Sequence, residues 1–254
     1  MAPIIEVKNL TKLYGQQGAV CRALNEVSFE IEAGAFAAVM GPSGSGKTTL
    51  LNIISTIDKP TQGRVIIDGR ETGAFKEREL ALFRRDVVGF VFQEFNLLDN
   101  MTIRDNIALP LTLNNIKAEE ILSRVRELTV LFGIDNQLDK YPYQLSGGQK
   151  QRAAVCRALV NEPKILFADE PTGALDSKAA SELLSCFRNV RNRYGTTVVM
   201  VTHDASAASY CDRVIFLKDG MISGKLETNG ENKEFFKKIL NMVALLGGER
   251  DERL

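Results

Sequence analysis

Between a short apolar run at 35–40 and an apolar-rich helical stretch at 48–57 lies Gly41-Pro42-Ser43-Gly44-Ser45-Gly46-Lys47-Thr48. A run of that length, bounded by Gly34 and Gly41, reads as a buried strand. Strand, glycine loop and helix in that order demand an α/β fold and place the loop at a strand's C-terminal end. The glycines let backbone N–H groups close around anionic oxygens, and the helix dipole adds to that field. The spacing is that of a phosphate-binding loop, in which Lys47 reaches the β- and γ-phosphates and the Thr48 hydroxyl suits Mg²⁺.

Around this loop the chain alternates. Segments 4–7 and 25–31 read as strands of a half-buried antiparallel sheet, and 64–68 as a strand closed by a turn at Asp68-Gly69. Residues 75–85 are expected to be helical, and 87–92 to form a strand ending at Gln93. From 94 to 161 strand signals vanish, and helical periodicity appears at 103–113, 117–132 and 146–160. The α/β pattern then returns: strand 165–168, helix 177–193, strand 197–201, and a hairpin 214–217/221–223 around Lys218-Asp219-Gly220. In the tail, 233–246 places Phe235, Phe236, Ile239, Leu240 and Val243 on one helical face. Docking on its own domain is expected there, with a partner chain or membrane surface as the alternative. The expectation is one domain over 1–254: a core with a β part at about 1–93 and 162–225, a helical part at about 94–161, and an amphipathic segment 233–248.

Bulk chemistry removes several classes. The 32 basic and 32 acidic residues balance, which argues against a nucleic-acid partner held by bulk charge. Cys21, Cys156, Cys186 and Cys211 show no paired short spacing, so no zinc or thioredoxin-like motif is expected. No leader is expected at the N-terminus, where no basic region precedes an apolar one. The apolar runs are far below the ~18 residues of a membrane span, so if the protein serves a membrane process, another chain must supply the membrane part.

Five further places carry chemistry. The apolar strand 165–168 runs into Asp169 and Glu170; the first can hold Mg²⁺ through water, the second can polarise an attacking water. His203 is the only histidine and follows strand 197–201, where α/β sheets place ligands, so a γ-phosphate contact is expected. Gln93, where the helical part begins, offers an amide to Mg²⁺ or the attacking water. Tyr14, in a glycine-flanked loop, offers a ring to a purine. Finally, Leu145-Ser146-Gly147-Gly148-Gln149-Lys150-Gln151-Arg152 opens a helix with N–H groups exposed at its positive end. That is a second anion site, and two such sites on one chain suggest a nucleotide shared between two copies.

In this order the segments resemble those of the ATP-binding cassette (ABC) ATPases, over about 4–225. The resemblance implies a P-loop NTPase cassette with a RecA-like core, an antiparallel β subdomain and a helical subdomain. It makes Tyr14 the adenine-stacking residue and Gly41 to Thr48, with Thr49, the Walker A loop. It makes Gln93 the Q-loop, with Thr48, Gln93 and Asp169 at Mg²⁺. Leu145, Ser146, Gly147, Gly148 and Gln149 become the signature, Asp169 and Glu170 the end of Walker B, Ala174, Leu175, Asp176 and Ser177 the D-loop, and His203 the switch histidine. It implies a head-to-tail homodimer binding two ATP and hydrolysing them. Each ATP would lie between one Walker A loop and the partner's Ser146 and Gly148.

Residues 40–49, 58–63, 90–93 and 168–177 look like the MacB/LolD-like branch. Residues 92–99, 207–211 and the 235–248 tail look like its bacitracin-type, Bce-like group. There the ATPase sits at the cytoplasmic face of the membrane, held by a permease that gives resistance to peptide antibiotics and signals to a sensor kinase. The permease contact is expected along Gln93 to Thr102. A sister reading within the branch is a complex of the MacB/LolD/FtsE kind that signals or extracts lipoproteins instead of transporting. DNA-repair ABC ATPases carry long coiled coils or zinc insertions, which this chain lacks.

Overall fold

The computed structural model describes residues 3–15, 19–228, 230 and 232–248. In it β1 (Pro3–Tyr14) and β2 (Cys21–Glu32) form a long antiparallel pair, extended by β4 (Gln62–Ile67) and β5 (Arg70–Glu71) into a sheet of order β2-β1-β4-β5. Both long strands exceed the sequence expectation. Register shifts between Val7 and Leu10 and between Leu10 and Lys12, with Asn9 and Glu26 at positive φ, mark bulges. A bulge resets the two-residue alternation, so only the regular stretches are visible in the sequence.

β3 (Phe36–Met40) leads through the glycine loop into α1 (Lys47–Ile54), and α2 (Glu77–Val87) leads into β6 (Val88–Val91). Three helices follow without a strand: α3 (Ile103–Leu113), α4 (Ala118–Leu131) and α5 (Gly147–Leu159). Then come β7 (Ile165–Asp169), α6 (Ser177–Tyr194), β8 (Thr197–Val201), the short α7 (Ala205–Ala208), β9 (Arg213–Lys218), β10 (Met221–Glu227) and α8 (Asn232–Gly248). The second sheet runs β10-β9-β3-β8-β7-β6, parallel throughout except for β10.

This sheet is the middle layer. Phe36, Ala38, Met40, Leu166, Val198 and Met200 face a core shared with α3, α4, α5 and α6. The intervening Ala37, Val39, Ile165, Phe167, Val199 and Val201 face a second core closed by α1, α2 and the antiparallel sheet. Burial on both faces is why these strands read as continuous apolar runs. No helix among the described residues is long and apolar enough to cross a membrane.

The tail is helical, but its buried stripe differs from the expected one. Phe235 and Ile239 are 1% and 0% exposed, and Met242 and Leu246 pack beside them; Leu240 and Val243 stay 45% and 40% exposed. Spacings of 4, 3 and 4 from Phe235 fix the docked face, and the neighbouring stripe looks outward.

Candidate functional site

Strand register gathers the site at one edge of the parallel sheet. Val39 pairs with Val201, Asp169 with Val201, and Val91 with Ala168. The residues that leave β3, β7, β8 and β6 therefore emerge side by side, which is where open α/β sheets bind ligands.

The phosphate loop needs its glycines. A Cβ on Gly41 would lie 2.0 Å from the Leu217 carbonyl oxygen and 2.6 Å from Ser45 Oγ. Gly46 caps α1 at φ 99°, and a Cβ there would lie 2.4 Å from the Ala23 oxygen. Ser45 is buried and its Oγ has no hydrogen-bond partner. Such a group costs about 1–3 kcal/mol and is suited by an anionic ligand. Lys47, also buried, donates from Nζ to the Pro42 oxygen at 2.9 Å. Burial lowers its pKa, and the Glu170 and Asp169 charges oppose that. Pro42 and Gly41 are half-buried, whereas Ser43, Gly44 and Thr48 are exposed along the rim.

Asp169 closes β7 at 8% exposure, and its Oδ1 lies 3.5 Å from Thr48 Oγ1. Burial raises its pKa, the Glu170 charge adds to the rise, and the Thr48 hydroxyl and Lys47 pull the other way. A cation beside this buried carboxylate would favour its charged form. The donors present are hard oxygens, which suit Mg²⁺. Among the described residues no cluster of three or more His, Cys, Asp and Glu could hold a metal alone. A cation held by Thr48 and Asp169 would need further oxygen ligands beyond these two side chains.

Glu170 turns away from Asp169 because its backbone is left-handed, φ 45°, with its N–H held by the Val201 oxygen at 3.0 Å. Its Oε1 meets His203 Nδ1 at 3.0 Å. The two carboxylates thus face different neighbours, one Thr48 and one His203. His203 is otherwise exposed. Behind it an apolar cleft of about 200 Å³, lined by Met40, Pro42, His203, Phe216, Val243 and Leu246, separates the loop from α8.

Gln93 is exposed, two residues past β6, level with the acidic pair. The segment after it is held from the helical part. Phe95 and Asn96 are both left-handed, φ 62° and 49°. Arg157 of α5 donates to both of their carbonyl oxygens, at 2.9 and 2.5 Å. Asn106 of α3 accepts from Leu98 N and donates to the oxygens of Leu98, Met101 and Thr102.

Ser146 caps α5, with Gln149 N donating to Ser146 Oγ at 3.4 Å and Ser146 N to Gln149 Oε1 at 3.0 Å. In this capping box two N–H groups at the helix start, those of Ser146 and Gln149, are satisfied within the chain. Gly147 is exposed and Gly148 half-buried, and neither carries a side chain. Leu145 is buried beneath them. A Cβ on Gly147 would meet the Ala174 oxygen at 3.8 Å, and one on Gly148 would meet Leu175 at 3.5 Å, so the segment rests on the 174–177 loop of its own chain. Asp176 caps α6 through Ala179 N at 2.8 Å, with Ser177 as that helix's first residue. No hydrogen bond or ion pair joins 145–149 to 41–48 among the described residues.

Tyr14 is the last residue of β1, not a loop residue as the sequence suggested, and 42% exposed. Its partners Lys12 and Asp58 escaped the sequence reading. Lys12 was findable, because residues two apart on a strand share a face; Asp58 arrives through tertiary folding alone.

These features define an ATP-hydrolysing cassette, and the comparisons agree. The ABC transporter family profile matches residues 24–173, and the chain belongs to the ABC transporter ATP-binding proteins. It is 47% identical to the bacitracin export ATP-binding protein BceA of Halalkalibacterium halodurans, over 98% of this chain and 99% of that one. It is also 47% identical to the ABC transporter ATP-binding protein YxdL of Bacillus subtilis, over 99% and 98%. The dimeric post-hydrolysis structure of the ATP-binding cassette MJ0796, bound to ADP and Pi, superposes with a TM-score of 0.84 at 42% identity, covering 89% of this chain and all of that one. The same cassette from Methanocaldococcus jannaschii is 43% identical over 89% of this chain.

Proposed function

We propose that two copies of this chain close on two ATP molecules and drive a membrane permease that gives resistance to bacitracin-type peptide antibiotics. The reading is carried by the full-length match to BceA, which leaves neither chain with a large unmatched segment. The dimeric MJ0796 cassette supports the pairing of copies.

In this reading the backbone of Gly41 to Thr49 and Lys47 hold the β- and γ-phosphates, and Tyr14 stacks on adenine. Thr48, Asp169 and Gln93 would hold Mg²⁺, which would supply charge neutralisation for the leaving and transferring groups. Glu170 accepts a proton from the attacking water, and His203 holds the γ-phosphate end and orients the Glu170 carboxylate. Ser146 and the N–H groups of Gly147 and Gly148 bind the γ-phosphate of the ATP on a second copy, with Leu145 and Gln149 shaping that helix end. The 174–177 loop carries the state of one site to the other. ATP does work because it favours the closed dimer over the open one. The segment from Gln93 to Thr102, pinned by Arg157 and Asn106, passes the motion to the permease at the cytoplasmic face of the membrane, and through the permease to a sensor kinase.

The test is genetic and biochemical. Deleting the chain in its host should raise bacitracin sensitivity, and the parent but not Glu170→Gln should restore resistance. The chain purified from membranes should bring down a multi-span permease. Unchanged sensitivity together with a partner of another class would replace the transport reading with the signalling or extraction one.

A further inference from the structure

The Tyr14 hydroxyl donates to Asp58 Oδ2 at 2.8 Å. Lys12 Nζ sits 4.8 Å from the Tyr14 ring centroid and donates to Asp58 Oδ1 and to the Lys59 oxygen, both at 2.7 Å. Lys12 is nearly buried and Asp58 about two-thirds so. Asp58 is fixed in turn. Its N–H donates to the Asn52 oxygen of α1 at 3.0 Å, and Lys59 N donates to its Oδ1 at 2.7 Å. Asp58 lies just beyond the C-terminal end of α1. The ring is therefore tied, through Asp58, to the far end of the helix that the phosphate loop caps. One ring face lies under a cation, and the exposed surface is left to a ligand. A cation on one face of an aromatic ring and a base on the other is a favourable sandwich.

We propose that Asp58, with Lys12, is a positioning residue that fixes the Tyr14 ring relative to the phosphate loop and thereby sets affinity for adenine nucleotides. The proposal rests on the reading that Tyr14 stacks on adenine. Without Asp58 the ring is free to rotate, and nucleotide binding must order it. Freeing one such side chain is expected to weaken binding about threefold to tenfold.

The experiment compares Mg-ATP with magnesium tripolyphosphate, which has no base, by calorimetric titration of the full chain. Asp58→Ala and Tyr14→Phe should each weaken ATP by that factor, leave tripolyphosphate unchanged, and be no worse when combined. Asp58→Asn, which keeps an acceptor oxygen, should recover part of the loss. If both single variants bind ATP like the parent while Tyr14→Ala binds it weakly, positioning is overturned and stacking stands. If Tyr14→Ala binds ATP like the parent, stacking fails and the proposal falls with it. If Asp58→Ala weakens both ligands equally, Asp58 supports the loop in general and the proposal is wrong. Tyr14→Phe leaves the Lys12–Asp58 pair intact, so it reports on the ring tether even where Asp58→Ala folds poorly.

Discussion

Glu170→Gln exchanges one carboxylate oxygen for an amide and keeps the length and shape of the side chain. The backbone N–H of Glu170 is held by Val201, independently of the side chain, so the left-handed turn survives. The contact with His203 Nδ1, 3.0 Å in the parent, can be kept by the amide oxygen. Asp169 even gains, because the Glu170 charge is one cause of its raised pKa. Nucleotide binding should therefore stay within about threefold of the parent, while the proton acceptor is gone. Loss of a positioned base lowers turnover about 10²–10⁴-fold, which at ~1.36 kcal/mol per decade is about 2.7–5.4 kcal/mol of transition-state stabilisation. Slow turnover with intact binding accumulates the ATP-bound dimer by mass action. Steady-state phosphate release, run beside light scattering with and without Mg-ATP, reads both effects. A variant that releases phosphate within threefold of the parent rate removes Glu170 from the role of base.

Ser146→Arg should leave ATP binding to the single chain nearly intact and abolish ATP-induced dimerisation. A variant that dimerises with ATP like the parent refutes the shared site. Asn106→Ala removes a side chain with no exposed surface that is the hydrogen-bond partner of four backbone groups. It should cost about 2–4 kcal/mol and speed amide exchange over 98–102; a cost under about 1 kcal/mol contradicts the pinning of that segment. Tyr194 donates to Glu127 at 2.7 Å, and burial with that bond pushes its pKa up to about 12. The fold prefers the protonated phenol, so this stabilisation is complete below about pH 10 and is lost as pH rises through about 12. Denaturant titrations should show Tyr194→Phe losing less stability than the parent between those pH values, and parallel curves would deny the bond a role.

The parts of this site that follow one another along the chain were legible before folding. Gly41 to Thr48, Asp169–Glu170 and His203 each sit just past a continuous apolar strand, and burial on both sheet faces makes such strands visible. Helix α3 was placed to the residue because Thr102 caps it and its apolar stripe is regular. What tertiary folding decides was hidden. The bulges at Asn9 and Glu26 concealed half of β1 and β2, and the Lys12–Tyr14–Asp58 tether joins strands to a loop 44 residues away. The Gln149 amide reads as an outward polar group until the capping box turns it back on Ser146. For α8, five apolar residues share one broad arc, and only the surface of the sheet beneath chooses Phe235 and Ile239 over Leu240 and Val243.

The partners of β3 have a consequence for how the chain is made. Phe36 to Met40 pair with β8 and β9, strands about 160 residues or more further along, and with no neighbour nearer in sequence. At about 5–20 residues per second on the ribosome, the strand bearing the glycine loop waits on the order of 10–30 s for its neighbours. The β1–β2–β4 sheet can close long before that. Nascent chains stalled before Thr197 should therefore show a protease-resistant N-terminal sheet yet fail to retain ATP, and a chaperone that shields apolar strands has its natural target at 35–40.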